Sequence, residues 1–200
     1  MKTAITFFIL VAAAIGLMAI SKPPAHLLAP ESTTIAQNGV FTGPEFQFTY
    51  RPDRPISTST AISWRNNTDS TGAMRAQIAI PSTVQPQTNF RGATFTVGTS
   101  TDPSEITNCT TAQNGETSKG ETMIANVPFN TFTLSDAGAG NFYDTTSYRT
   151  VRNNTCYSIE YTIHSTNIAN YDPTQDIRAF DSMPIIAELE SMVQSFKFTK

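Results

Sequence analysis

Cysteine, histidine and charge are all scarce in this chain of 200 residues. It has 2 cysteines, 2 histidines and 1 tryptophan, and only 14% of its residues are Asp, Glu, Lys or Arg, below the usual ~25%. The 13 basic and 16 acidic residues leave a formal net charge of -3, and neither sign gathers into a run. A face that neutralises phosphates is therefore missing, which excludes nucleic acid as a partner. Two cysteines far apart with remote histidines do not make a tetrahedral metal set. Gly138-Ala139-Gly140 lacks the G-x-G-x-x-G spacing that cradles a phosphate, and no G-x-S-x-G elbow positions a serine nucleophile. No internal repeat or low-complexity tract is present. Thr, Ser and Asn supply the polar surface instead, the composition of a β-rich extracytoplasmic protein.

What is present begins with an export signal. Lys2 precedes an uncharged apolar run, Ala4 to Ile20, that ends at Ser21-Lys22-Pro23-Pro24, the layout of a secretory leader. Leu17 fits poorly ahead of the cleavage site after Ala19, and the run is just long enough for a membrane helix. Residues 1–20 are thus read as a signal peptide or an N-terminal membrane anchor, 21–43 as an extended tether containing Pro23, Pro24 and Pro30, and 44–200 as a single domain. The expected location is exported, either secreted or attached to the outer face of the cytoplasmic membrane, which the chain meets only through residues 4–20 if they stay uncleaved. In an oxidising compartment the minimal even count of cysteines predicts a disulfide between Cys109 and Cys156. It would close a loop of about 48 residues, for which chain entropy gives roughly 4 kcal/mol at most.

Period-2 alternation dominates the domain. Phe46 to Tyr50 reads as a strand stopped by Arg51-Pro52-Asp53-Arg54-Pro55, Ala61 to Arg65 as a second, and Met74, Ala76, Ile78 and Ile80 as one face of a third that Pro81 ends. These are expected to follow one another antiparallel. Ala93, Phe95 and Val97 mark a fourth strand, and Thr101 to Glu105, with Pro103 at the first helical position, a short helix presenting Cys109. Thr110 to Gly120 has no periodicity and reads as a mobile surface loop. Met123 to Val127 and Phe129 to Leu134 are apolar segments broken at Pro128, followed by a turn at Ser135 to Asn141, a strand at Phe142 to Val151 and a turn at Arg152 to Thr155.

Next comes CYSIEYTIHSTNIANY, where Tyr157, Ile159, Tyr161 and Ile163 alternate with Ser158, Glu160, Thr162 and His164. Short turns make it an interior strand beside the Phe142 strand. Asp172 to Asp176 reads as a turn or a capped short helix. Ile185, Ile186, Leu189, Met192, Val193 and Phe196 then form a helical stripe with Ser182 as N-cap, opposite a solvated face of Glu188, Glu190 and Gln194. The fold class is α+β, a central antiparallel sheet of about six or seven strands with flanking helices, including the C-terminal amphipathic one.

Four stretches, FQFTYRPD, TNFRGATFTVG, CYSIEYTIHSTNIANY and the terminal SFKF, together resemble the PsbP-like group, in its subset of uncharacterised exported bacterial proteins. The resemblance spans residues 44 to 198. Arg51 stands where the group has proline directly after the tyrosine, with Pro52 one place later, and no tryptophan closes that turn. The resemblance implies an antiparallel sheet covered by helices and implies no catalytic residues; fold alone transfers no activity.

His164 is the only histidine in the 44–200 domain. It shares a strand face with Glu160, but residues four apart on a strand lie ~13 Å from each other, so no dyad forms directly. Asn167, Asn170, Asp172 and Asp176 gather oxygens without the spacing or glycine of a calcium loop, which leaves them as turn caps. The expected function is a non-enzymatic exported binding or accessory domain, with no catalytic, cofactor or metal residues. Its ligand or partner surface is expected at His164, Asn167, Asn170, Tyr171 and Asp172, supported by the aromatics Phe142, Tyr143 and Tyr148. The partner would be a protein or small molecule of the cell envelope. The alternatives are an extracytoplasmic hydrolase using His164, with Ser165 and Asp172 as recruits, and a structural envelope protein.

Overall fold

Short two-residue turns govern the second half of the chain. In the computed structural model, which describes residues 38–58, 63–65 and 71–200, strands β6 (Thr117–Ile124), β7 (Val127–Gly138), β8 (Asn141–Arg152) and β9 (Thr155–Thr166) form a continuous meander. Each connection is a residue pair at positive φ: Ala125-Asn126, Ala139-Gly140 and Asn153-Asn154. That geometry matches the twist of an antiparallel hairpin and forces neighbouring strands together. The leader at 1–20, and the tether up to residue 37, lie outside the described residues.

The meander joins β4 (Ala73–Pro81), β5 (Phe90–Ser100) and the short β3 (Ile56–Ser57) in a seven-stranded antiparallel sheet of order β3-β4-β5-β9-β8-β7-β6. The CYSIEYTIHST strand is therefore the middle one, hydrogen-bonded to β5 on one side and β8 on the other. A smaller sheet combines β1 (Gly39–Thr42), β2 (Phe46–Tyr50) and β10 (Lys197–Phe198). Two helices complete the described residues, α1 (Pro103–Asn108) and α2 (Ser182–Ser195). The architecture is mixed α+β and mostly sheet; no described helix is long and apolar enough to cross a membrane.

One face of the large sheet is a conventional core. Ile159 and Tyr157 of β9, Phe95 and Val97 of β5 and Ile78 of β4 pack with Leu189, Met192 and Val193 of α2 and Phe46 and Phe48 of β2. The α2 stripe is as its periodicity predicts, with Ile185, Leu189, Met192 and Val193 buried. Asp181, rather than Ser182, is the N-cap, accepting from the Met183 amide. The predicted solvated face of α2 is only partly so. Glu188 takes a bidentate pair from Arg54 at 2.7 and 2.9 Å, and Glu190 accepts hydrogen bonds from the Tyr148 and Tyr161 hydroxyls, both at 2.7 Å.

The other face is polar and covered at one end. The disulfide Cys109–Cys156 forms as expected, with Cα atoms 5.7 Å apart, tying α1 over the start of β9. Trp64, Met74 and both cysteines make a small second core there. Gly98 is needed in this place, because a side chain on it would run into the Trp64 backbone.

Several sequence expectations fail for local reasons. Residues 63–65 form bends rather than a strand; residues 61 and 62 lie outside the described residues. β2 and β4 belong to different sheets, so the first strands do not form one antiparallel succession. Met74 leaves the face of Ala76, Ile78 and Ile80, because a bulge between Met74 and Ala76 turns it toward Trp64. Thr117 to Gly120 are strand, not loop. Pro128 sits inside β7 opposite Met123, and the break falls at Ala125-Asn126. The turn expected over Ser135 to Asn141 contracts to its two central residues.

Candidate functional site

A groove of about 520 Å³ opens on the polar face at the end of the sheet away from the disulfide. Its lining comes from β4, β5, β9 and β8, and the residues that give it chemistry are Gln77, Arg91, Thr94, Tyr143, Thr162 and His164. Its size falls within the range of small-molecule sites.

Arg91 reaches the groove through a break in alternation. Ala93, Phe95 and Val97 face the core, so strict period 2 would send residue 91 there as well. Instead β5 shifts register between Phe90, opposite Ser165, and Gly92, opposite His164. Gly92 adopts φ +144, which only glycine holds without strain. The bulge lets Phe90 take the core position, its ring tilted against Phe180 with centroids 5.5 Å apart. Arg91 turns out to line the groove beside His164. Bulges of this kind are one means by which a sheet re-aims a side chain.

His164 is held from two sides. Its ring stacks on Tyr143, with centroids 4.4 Å apart and an interplanar angle of 17°, and Nε2 lies 2.8 Å from Asn141 Oδ1. The Asn141 amide nitrogen donates toward the Gly138 and Ala139 carbonyls, so its oxygen is the atom offered to the histidine. Nε2 therefore carries the proton, and Nδ1 is left as an acceptor. Burial, and after it the positive charge of Arg91, hold His164 below its ordinary pKa. At neutral pH the ring is uncharged.

Arg91 itself makes no ion pair among the described residues. Its guanidinium lies 5.9 Å from the centre of the Tyr171 ring, and the Tyr171 hydroxyl is 2.6 Å from Thr166 Oγ1. Tyr171 thus serves as a seat for the arginine.

A narrower cavity of about 70 Å³ shares Gln77, Thr94 and Thr162 with the groove and continues to Arg65 and Glu160. Arg65 is 4% exposed. It donates from Nη2 to Glu105 at 2.5 Å, while its Nε and Nη1 have no hydrogen-bond partner among the described residues. Nearby on the same face Arg149, fully buried, pairs with Glu116 and lies 3.9 Å over the Phe132 ring.

The five residues expected at a ligand surface divide. His164 lines the groove and Tyr171 supports it. Asn167 accepts from the Ala169 amide, Asn170 donates to the Gly140 carbonyl, and Asp172 caps the turn at Pro173–Gln175, its side chain accepting from the Thr174 amide and its own amide donating to Gln175 Oε1. Those three shape the chain after β9. Glu160 and His164 share a face, as expected, and Ser165 lies on the opposite one, paired with Phe90 and Phe142.

Arg91, Gln77 and Thr94 were not singled out by the sequence reading. A signal for Arg91 was present all the same. In NFRGATF a phenylalanine stands out of phase with Ala93 and Phe95 across an Arg-Gly pair, which is the sequence mark of a bulge.

A second concavity of about 320 Å³ lies at the disulfide end, lined by Glu45, Arg75, Tyr157 and Lys200 among others. The Tyr157 hydroxyl is bonded to Glu45 across it. No protein-family model matches the sequence, and no curated protein matches it either.

Proposed function

We propose that this chain is an exported, non-enzymatic binding module of the cell envelope that holds a small ligand in the groove on the polar face of its large sheet. The observation that carries this is the convergence of a bulge-delivered Arg91 and a stacked Tyr143–His164 pair in one concavity of about 520 Å³. Polar groups fixed by local geometry in a partly apolar recess are what a specific small-molecule site requires. The Cys109–Cys156 bridge supports an oxidising location, and the leader-like residues 1–20 support export. An antiparallel sheet flanked by a C-terminal helix also suits the PsbP-like reading, which stands as a proposal.

The hydrolase reading is less well served. His164 Nε2 is occupied by Asn141, and Ser165 projects to the other side of the sheet. A screen of small envelope metabolites and cell-wall fragments by thermal shift on the exported protein tests the binding reading. Hits should disappear in Tyr143→Ala and persist in Arg75→Ala, which alters the other concavity. Hits that respond only to Arg75→Ala would move the site. Stoichiometric labelling by a serine-reactive probe, lost in His164→Ala, would favour the hydrolase.

A further inference from the structure

The groove has an unusual charge balance. Among the described residues, Arg91 is the one ionised side chain in its lining at neutral pH, no carboxylate joins it there, and His164 is neutral. Arg91 is also without an ion pair among the described residues. A single positive fork in a recess without acids favours a ligand with one planar anionic group, since guanidinium and carboxylate match in a two-bond geometry. The rest of the lining asks for something different. Tyr143 is backed by His164 on one ring face and remains 36% exposed, so it offers a flat apolar platform for a ring. Gln77, Thr94 and Thr162 are neutral polar side chains spaced along three adjacent strands, and His164 Nδ1 is an acceptor for a hydroxyl proton.

A ring with many hydroxyls and one carboxylate satisfies all of these demands together. Building on the groove as the binding site, we infer that it recognises a sugar acid, a pyranose-type ring of the uronate class. The ring lies on Tyr143, the carboxylate meets Arg91, and ring hydroxyls meet His164 Nδ1 and the Gln77–Thr94–Thr162 row. Tyr171 is a positioning residue, acting through Arg91.

Isothermal titration of the full exported protein with glucuronate and galacturonate oligosaccharides, with the matching neutral oligosaccharides, and with acetate and lactate provides the test. Uronates should bind at least ~10-fold more tightly than their neutral counterparts, a difference of about 1.4 kcal/mol, and the simple carboxylates should not bind. Arg91→Gln should bring uronate affinity down to the neutral level, Arg91→Lys should restore part of it, and Tyr143→Ala should remove binding of both. Arg91 is on the surface, so its variants are expected to fold, and an unchanged melting temperature confirms it. Equal affinity for acid and neutral sugars, indifference to Arg91→Gln, or no uronate binding at all would overturn the sugar-acid assignment. The groove itself fails separately, if a ligand found by the thermal-shift screen binds Tyr143→Ala as well as it binds the unaltered protein.

Discussion

The two faces of the seven-stranded sheet are built on opposite principles. The apolar face is closed by α2 and β2 with aromatic and aliphatic side chains, and the Glu190 carboxylate of α2 is satisfied by two tyrosines. Burial and those bonds push Tyr161 up to about 12 and Tyr148 higher still. The polar face buries Arg149, Ser147, Ser158 and Glu160 instead, and leaves Arg149 Nε and Nη1 and both serine hydroxyls without hydrogen-bond partners among the described residues. A core stabilises by area removed from water, whereas buried ions stabilise only as far as their pairing repays desolvation. One face therefore stabilises through the apolar area it buries, and the contribution of the other depends on how its buried polar groups are paired.

Breaking each face at its centre should give the largest effects. Glu116→Gln removes the charge that pairs with the buried Arg149 guanidinium and should cost ~3–5 kcal/mol, while the double replacement Glu116→Leu/Arg149→Met, which removes both charges and keeps volume, should be close to neutral. Leu189→Ala on α2 should cost ~2–5 kcal/mol. Urea midpoints measure all three. If the double replacement were as damaging as Glu116→Gln, the polar face would be a stability element like its opposite. Loss of the bridge in Cys109→Ser/Cys156→Ser follows at ~2–4 kcal/mol, and it should leave the groove residues unmoved in NMR spectra, since they lie at the other end of the sheet. A smaller change with opposite sign is expected at the hairpin beneath the groove. Ala139 holds φ +49, strained for an L residue, and Ala139→Gly should raise stability by ~1 kcal/mol.

How much of this was legible depended on whether alternation was unbroken. β9 read correctly as an interior strand beside β8 because Tyr157 to Ile163 alternates without interruption, and Asn153-Asn154 marks its hairpin. The α2 stripe and the Cys109–Cys156 bridge were readable for similar reasons of period and parity. Errors gathered at bulges. Arg75 and Arg91 each sit at a register shift, and period-2 reasoning carried across either one assigns the wrong face to what lies beyond. His164 could be placed on a face from sequence, but its stacking on Tyr143 depends on the register of β8 against β9, which follows from the exact length of the turn. The partial burial of Glu188 and Glu190 was hidden because their partners, Arg54, Tyr148 and Tyr161, are remote in sequence.

The smallest expected effect separates the two faces most finely, because it concerns a charge and not packing. His164 has a native pKa below its ordinary 6.5, first through burial and then through Arg91. Above pH 6.5 both folded and unfolded chains hold it neutral, and it contributes no pH dependence. As pH falls below 6.5 the unfolded chain takes up the proton first, so stability declines through the window between 6.5 and the depressed native value and then levels off. His164→Gln should flatten that window. Arg91→Gln should leave stability at pH 7.5 within ~0.5 kcal/mol, as exposed positions usually do, yet raise the His164 titration midpoint seen by NMR and so reduce the decline. Glu190→Gln, on the apolar face, should leave the His164 midpoint where it was. If Arg91→Gln does not move that midpoint, the bulge does not hold the arginine beside the histidine, and the groove loses the charge on which its selectivity for an acid depends.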